Sequence, residues 1–100
     1  MRDDLKYRIL QRAKSKAREL GFIITSVAES DLVSFINQGV DRMTSSQFDS
    51  ATDRLRAVRN IETLIESMSQ NAKSRNLNEN LDYTSFSRAK ASICPLWPFC

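Results

Sequence analysis

Apolar residues recur along most of the chain at intervals of three and four positions, which is the spacing of one face of an α-helix. No run alternates over five or more residues as a half-buried strand would. We therefore predict an all-α protein, a small bundle of three to four helices. The first helix runs from about residue 3 to 20 with Gly21 as its C-cap. Its apolar positions are Leu5, Ile9, Ala13, Ala17 and Leu20.

Two capping-box spacings mark the starts of the next helices. Ser26 and Glu29 open a short second helix, which we expect Gly39 to end. Its apolar positions are Val27, Leu32, Phe35 and Ile36. Thr44 and Gln47 open the third and longest helix. Its apolar positions are Phe48, Ala51, Leu55, Val58, Ile61, Ile65, Met68 and Ala72.

The remainder of the chain changes character twice. Residues 73–80 are rich in asparagine and predict a loop, after which a weaker helix follows until the prolines forbid it. Its buried edge would be Tyr83, Phe86, Ala89 and Ile93. Residues 92–100 carry no charge and contain both cysteines, both prolines and the tryptophan, and we predict that they form a non-helical tail. We expect residues 1–91 to form a helical carrier or leader domain, with 92–100 as the tail or a core peptide.

Composition excludes most enzyme mechanisms. The chain has no histidine, which removes Ser-His and Cys-His catalysis and imidazole-ligated zinc. It also has no glycine-rich phosphate loop, so we predict no enzyme activity, no cofactor and no metal site. Its longest apolar run, Phe22-Ile23-Ile24, is far shorter than the roughly 20 residues of a transmembrane helix. The polar N-terminus lacks a secretory signal, so we expect a cytoplasmic protein.

Positive charge is concentrated in the first helix. The net charge is +3, and residues 1–20 contain seven basic and three acidic residues. A basic face of this kind suits phosphate, an acidic partner or an anionic membrane, and a solvated helix face is the alternative. The candidate nucleic-acid contacts are Arg12, Lys14, Lys16 and Arg18.

The tail carries the other candidate chemistry. Cys94 and Cys100 are the only cysteines, and their spacing does not suit a zinc site. The two prolines lower the entropy cost of closing a small ring, through a disulfide or a thioether. We therefore assign Cys94, Trp97 and Cys100 as candidate modification or crosslink residues. The alternative is that the apolar tail residues fold back onto the helical core.

Residues 17–32 read Ala-Arg-Glu-Leu-Gly-Phe-Ile-Ile-Thr and then, after an interval, Asp-Leu. This pattern resembles leaders of the nitrogen-fixation-associated type, which precede the cores of prochlorosin-like modified peptides. The resemblance implies that a maturation enzyme binds the leader and that a protease releases a core, which could then be exported. Its recognition residues would be Leu20, Gly21, Phe22, Ile24 and Leu32. The alternative is an ordinary capped helix end, with Phe packing back on the preceding turn.

A second pattern lies in residues 54–71. Arg-Leu-Arg, then Ile-Glu-Thr-Leu and Asn71, is similar to the spacing in small haemolysin-expression modulators, and Trp97-Pro98-Phe99 is similar to their terminal Trp-x-Phe. This resemblance implies a helical partner of a nucleoid-structuring protein. The long helix could also pair with a copy of itself through residues 46–72, giving a homodimer.

These observations lead to two functional predictions. The first is the precursor of a ribosomally synthesised, modified or cyclised peptide, with a helical leader and a Cys-containing C-terminal core. The alternative is a small helical DNA-associated regulator that acts on duplex DNA through its basic first helix, or through a nucleoid-protein partner.

Overall fold

A computed structural model describes residues 1–93 and 96–100, and over these residues it confirms the predicted all-α class. Short helices and long ones pack around one core, and two strands of two residues each are the only other regular elements in the described part. In chain order the elements are α1 (Arg2–Glu19), β1 (Ile23–Ile24), α2 (Ser26–Arg42), α3 (Ser45–Asp49), α4 (Ala51–Ser74), β2 (Asn80–Leu81) and α5 (Tyr83–Ile93).

The end of α1 has the geometry that its sequence predicts. Gly21 has a φ of +85°, in the left-handed region that favours glycine. The Phe22 N–H donates to the Ala17 carbonyl at 2.8 Å and the Gly21 N–H to the Arg18 carbonyl at 3.0 Å, which is a Schellman motif. The buried Phe22 ring then directs the chain into β1.

The parallel pair of β1 and β2 was not predicted. Ile23 aligns with Asn80 and Ile24 with Leu81, and the Ile23 N–H donates to the Glu79 carbonyl at 2.7 Å. Two residues are too few to produce an alternating pattern, so the sequence carries no strand signal here. The pair joins the turn after α1 to the turn before α5.

The second helix differs from its prediction at both ends. Its N-cap is Thr25, whose hydroxyl accepts from the Ala28 N–H at 3.3 Å, and Ser26 is the first helical residue instead. The expectation that Gly39 ends this helix is wrong, because α2 continues to Arg42. A Cβ at Gly39 would overlap Cδ1 of Phe99. The glycine is therefore needed because the Phe99 ring packs against it, and it does not end the helix.

The predicted third helix is two helices. The Thr44–Gln47 capping box is confirmed, with the Gln47 N–H donating to Thr44 Oγ1 at 3.2 Å, but it opens only the short α3. Ser50 leaves the helical region at ψ 119° and caps α4, its hydroxyl accepting from the Asp53 N–H at 3.2 Å. The Ser-x-x-Asp spacing at residues 50–53 is itself an N-cap signal inside the apolar repeat.

The helix α4 lies at the centre and packs against both α1 and α5. Its buried residues are Ala57, Val58, Ile61, Leu64, Ile65, Met68, Ser69 and Ala72. It extends into the predicted loop as far as Ser74, and Asn76 follows with a left-handed φ of +63°. Four predicted apolar positions are exposed because they fall on the solvent side of their helices. They are Val27, Ala51, Leu55 and Tyr83.

Candidate functional site

Residues 96–100, here called the C-terminal segment, pack against α2 and α4. The Phe99 side chain is only 3% exposed, and its ring stacks on Phe35 with centroids 5.4 Å apart and an angle of 26° between planes. Pro98 is also buried, whereas Leu96 and Trp97 are half-buried against the core. The segment therefore contributes to the hydrophobic core, as the alternative prediction for the tail expected.

Backbone carbonyls of the segment accept hydrogen bonds from the helices. Asn60 Nδ2 donates to the Trp97 carbonyl, and Arg42 Nη1 donates to the Phe99 carbonyl at 3.3 Å. Within the segment, the Phe99 N–H donates to the Leu96 carbonyl at 2.6 Å, forming a turn. One apolar ring and two polar side chains of the helices thus fix its position.

Two of the predicted modification residues lie in the described part of the chain. Cys100 is exposed and disulfide-bonded. The Arg56 guanidinium lies over the Trp97 ring, 4.9 Å from its centroid, in a cation–π contact. Cys94 lies outside the described residues.

The predicted leader-recognition residues are divided between surface and core. Phe22 and Leu32 are buried, so the folded protein does not present their side chains to a partner. Leu20 and Ile24 are half-buried, and only Gly21 is exposed. Two of these residues, Phe22 and Ile24, border a shallow surface cavity of about 350 Å³.

Three of the four candidate nucleic-acid contacts on α1 lie within 4 Å of a carboxylate of the same chain. Arg12 pairs with Glu62 at 3.2 Å and with Glu19 at 3.3 Å, and the hydrogen bond that it donates to Glu62 raises the pKa of the Arg12 guanidinium. Lys14 pairs with Glu29 at 2.9 Å.

The other two basic candidates on α1 have weaker contacts. Lys16 lies 3.9 Å from Glu19, and Arg18 donates to the Ser15 hydroxyl at 3.4 Å. Of the four predicted nucleic-acid contacts, only Arg18 therefore has no carboxylate partner among the described residues.

The sequence analysis missed a second basic surface, here called the arginine face, formed by Arg42, Arg56 and Arg59. All three are exposed, and none forms an ion pair in the described part of the chain. Arg42 and Arg56 border the C-terminal segment, and Arg59 follows Arg56 by one turn on the same side of α4. The sequence signal for this surface was the three arginines in residues 54–59. We used two of them only as part of the spacing that resembles haemolysin-expression modulators.

The described residues contain no group of three or more His, Cys, Asp or Glu side chains that could hold a metal ion. Nor is any helix of residues 1–93 long and apolar enough to cross a membrane. The chain is thus a small helical bundle whose C-terminal segment packs against the core and is bordered by arginine side chains. In comparisons with known proteins, no family model, no curated protein and no solved structure matched it.

Proposed function

We propose that this protein is a small helical DNA-associated regulator that contacts the phosphate backbone of duplex DNA through the arginine face. The observation that carries the proposal is the exposure of Arg56 and Arg59 without a carboxylate partner in the described residues. By contrast, Lys14 and Arg12 on α1 are held in ion pairs. The proposal keeps the regulator predicted from the sequence but moves its contact surface from α1 to α4.

Arginine suits this role for a physical reason. Its planar guanidinium donates two parallel hydrogen bonds to one phosphate group and remains charged at every relevant pH. Binding to backbone phosphates releases condensed counterions and needs no catalytic group. The absence of enzyme activity remains a prediction.

The test is a titration of a labelled 20-base-pair duplex by fluorescence anisotropy at 50 to 200 mM salt. We expect Arg56→Gln with Arg59→Gln to weaken binding about tenfold and to reduce the salt slope by about 2, since each phosphate contact contributes about 0.9. The control is Lys14→Gln with Lys16→Gln, which removes the same charge from α1. Equal losses in the two double variants, or flat titrations of the unmodified protein, would contradict the proposal.

The peptide-precursor function remains a second proposal. The observation that favours it is that Cys100, which lies in the part of the chain assigned to the product, is disulfide-bonded. In the folded leader, a maturation enzyme would reach Leu20, Gly21 and Ile24 rather than Phe22. Intact and tandem mass spectrometry on protein from its native cell tests this: a released fragment from residues 92–100 supports it, and an uncleaved chain without modification beyond a disulfide contradicts it.

Partners and location remain proposals as well. A homodimer through residues 46–72 would use a surface on which Leu55 is the large apolar residue that is exposed, at 41%. Sedimentation equilibrium at micromolar concentration tests it, and a monomeric mass would contradict it. Binding to a nucleoid-structuring protein and a cytoplasmic location are likewise carried forward from the sequence.

A further inference from the structure

The surface cavity of about 350 Å³ beside Phe22 and Ile24 lies between the end of α1, the strand β1 and the first turn of α2. We call it the strand-edge cavity. Its lining residues are Lys14, Arg18, Phe22, Ile23, Ile24 and Glu29. None of these lining residues belongs to β2, so the cavity adjoins β1 without its partner strand.

The strand β1 pairs on one side only. The Ile23 N–H donates to the Glu79 carbonyl at 2.7 Å, and the Thr25 N–H donates to the Leu81 carbonyl at 3.1 Å. Because successive residues of a strand direct their N–H and C=O groups to opposite sides, those of Ile24 point away from β2. Neither group forms a backbone hydrogen bond with another element among the described residues. β1 therefore has an open edge, to which a further strand can add.

The side chains at this edge are apolar and positively charged. Ile23 lines the cavity and is 66% exposed. Lys14 and Glu29 pair with each other at 2.9 Å. Arg18 is exposed and donates only to the Ser15 hydroxyl, at 3.4 Å, with no carboxylate partner among the described residues. The unpaired charge of the lining is thus one guanidinium, which suits a carboxylate.

We propose that the strand-edge cavity binds an extended acidic peptide segment of a partner protein. The segment adds to the open edge of β1 and hydrogen-bonds to the backbone of Ile24. One apolar side chain of the segment covers Ile23, and a carboxylate pairs with Arg18. The strand edge favours a peptide over a nucleic acid, because only a peptide supplies alternating N–H and C=O groups. The proposal depends on neither proposed function, since no residue of the arginine face or the C-terminal segment lines this cavity.

The first experiment selects the occupant with the whole chain as bait. A phage library of random twelve-residue peptides is selected on the immobilised protein and, in parallel, on Ile23→Asp, whose added carboxylate repels an acidic peptide. Circular dichroism verifies that this variant is folded. We expect peptides enriched only on the unmodified protein to share an apolar residue with Asp or Glu close to it. No such enrichment, or enriched peptides without an acidic residue, would overturn the proposal.

The second experiment locates the enriched peptide by nuclear magnetic resonance on nitrogen-15-labelled protein. We expect the largest shift changes at the Ile24 amide, which gains a hydrogen-bond partner, and at its neighbours. Peptides that are N-methylated at alternate positions test strand addition, because only one of the two sets of N–H groups faces β1. One set of methyl groups should abolish binding and the other should not. Shifts centred on another surface, or equal effects of the two sets, would overturn the proposal.

Substitutions with matched controls measure the side-chain contacts by fluorescence anisotropy of the labelled peptide. We expect Arg18→Gln to weaken binding about fivefold, the scale of an exposed ion pair, and Ile23→Ala about tenfold. The control for charge is Arg8→Gln, on an exposed arginine of α1 that has no ion pair in the described part of the chain. The control for apolar contact is Val27→Ala, since Val27 is also 66% exposed but does not line the cavity. Equal losses in a variant and its control would contradict the assigned contact and overturn the proposal.

A last comparison separates this site from DNA binding. Arg56→Gln with Arg59→Gln should leave the affinity for the peptide unchanged, although it weakens binding of the duplex. Loss of peptide affinity in this double variant would place the site on the arginine face and overturn the proposal. If the unmodified protein binds no DNA, the proposed function fails, and the peptide titrations still decide whether the strand-edge cavity is a binding site.

Discussion

The ring of Phe99 stacks on the ring of Phe35, with centroids 5.4 Å apart and planes 26° from parallel. Phe35 in turn meets Phe86 edge to face at 5.5 Å, and the Lys90 ammonium lies over both of these rings. One aromatic cluster therefore joins the C-terminal segment, α2 and α5. Aromatic contacts of this kind stabilise a fold beyond the area that they bury. The segment is thus held by the same core that holds the helices.

Phe99→Ala should lower the free energy of unfolding by about 3 kcal/mol or more, the usual cost of truncating a buried phenylalanine. Urea unfolding followed by circular dichroism measures it. The control is Tyr7→Ala, which removes an aromatic ring that is 67% exposed and should cost less than about 0.5 kcal/mol. The precursor proposal makes the opposite prediction, namely that deletion of residues 92–100 leaves the helical fold nearly intact. A loss below about 1 kcal/mol in Phe99→Ala would favour that proposal.

Gly39→Ala should destabilise the protein although alanine favours helices. On an open helix surface this change would stabilise by about 1 kcal/mol. Here the added methyl group would overlap Phe99 Cδ1 and lie 2.8 Å from Cε1, so the ring must move. We expect a net loss of about 1 to 3 kcal/mol, as for other overpacked cores.

A double-mutant cycle supplies the control for this prediction. In the Phe99→Ala background the methyl group at position 39 has room, so Gly39→Ala should there be neutral or stabilising. Urea unfolding of all four proteins gives the coupling free energy. Additive losses would show that the ring of Phe99 does not cause the effect.

The sequence correctly predicted those features that depend on residues close to each other in the chain. The Schellman end at Gly21 and the Thr44 capping box depend on residues within one turn of each other, and both are present. Helix periodicity also found five buried positions of α4, but it included Ala51 and Leu55, which are exposed; the five are Val58, Ile61, Ile65, Met68 and Ala72. The break at Ser50 was missed because the apolar repeat continues through it, so the period alone suggested one helix.

Contacts between distant residues explain the remaining differences. Gly39 was expected to end α2, but its role depends on Phe99, which lies far away in the sequence. Likewise, Arg12 counted as free positive charge until the fold placed Glu62 beside it at 3.2 Å. Composition gives the net charge of a segment but does not show which basic residues form ion pairs with distant carboxylates. For this reason the prediction placed the basic surface on α1. The arginine face can be identified only when the ion pairs of the folded chain are known.

Asp82→Asn should lower stability at neutral pH and lose its effect in acid. Arg75 Nη2 donates to Asp82 Oδ1 at 2.8 Å, and the Ser85 N–H donates to the same oxygen at 2.9 Å. The hydrogen bond from Arg75 holds the pKa of the Asp82 carboxyl well below its usual range. A carboxyl whose pKa is lowered by folding stabilises the protein above its unfolded pKa of about 4, and this stabilisation decreases as the pH falls toward the folded pKa.

We therefore expect a loss of about 1 kcal/mol or less from pH 8 to about 5, since the pair is partly exposed, and a shrinking difference below about pH 4. Asparagine is a good N-cap, so the variant keeps the cap of α5 and isolates the charge. Urea unfolding of both proteins at several pH values measures this. Asp49→Asn is the matched control, because the Asp49 carboxylate has no ion pair among the described residues. A difference that persists unchanged at pH 3 would contradict the role of the Asp82 charge.

Gly21→Ala separates the two accounts of the Leu-Gly-Phe sequence at the end of α1. The φ of +85° disfavours any Cβ, whereas the space around Gly21 is open, with nothing within 4 Å of an added Cβ. The cost should therefore be the backbone penalty alone, about 1 kcal/mol, and Gly21→Asn should cost less because asparagine tolerates this region. Urea unfolding measures both, and equal costs would contradict the cap. Because Gly21→Ala lowers the stability of the fold, it cannot isolate leader recognition. That test needs Ile24→Ala, which truncates a half-buried side chain beside the surface cavity. Binding of a maturation enzyme that survives Ile24→Ala unchanged would count against the leader proposal, and Gly21 would then serve as a helix cap only.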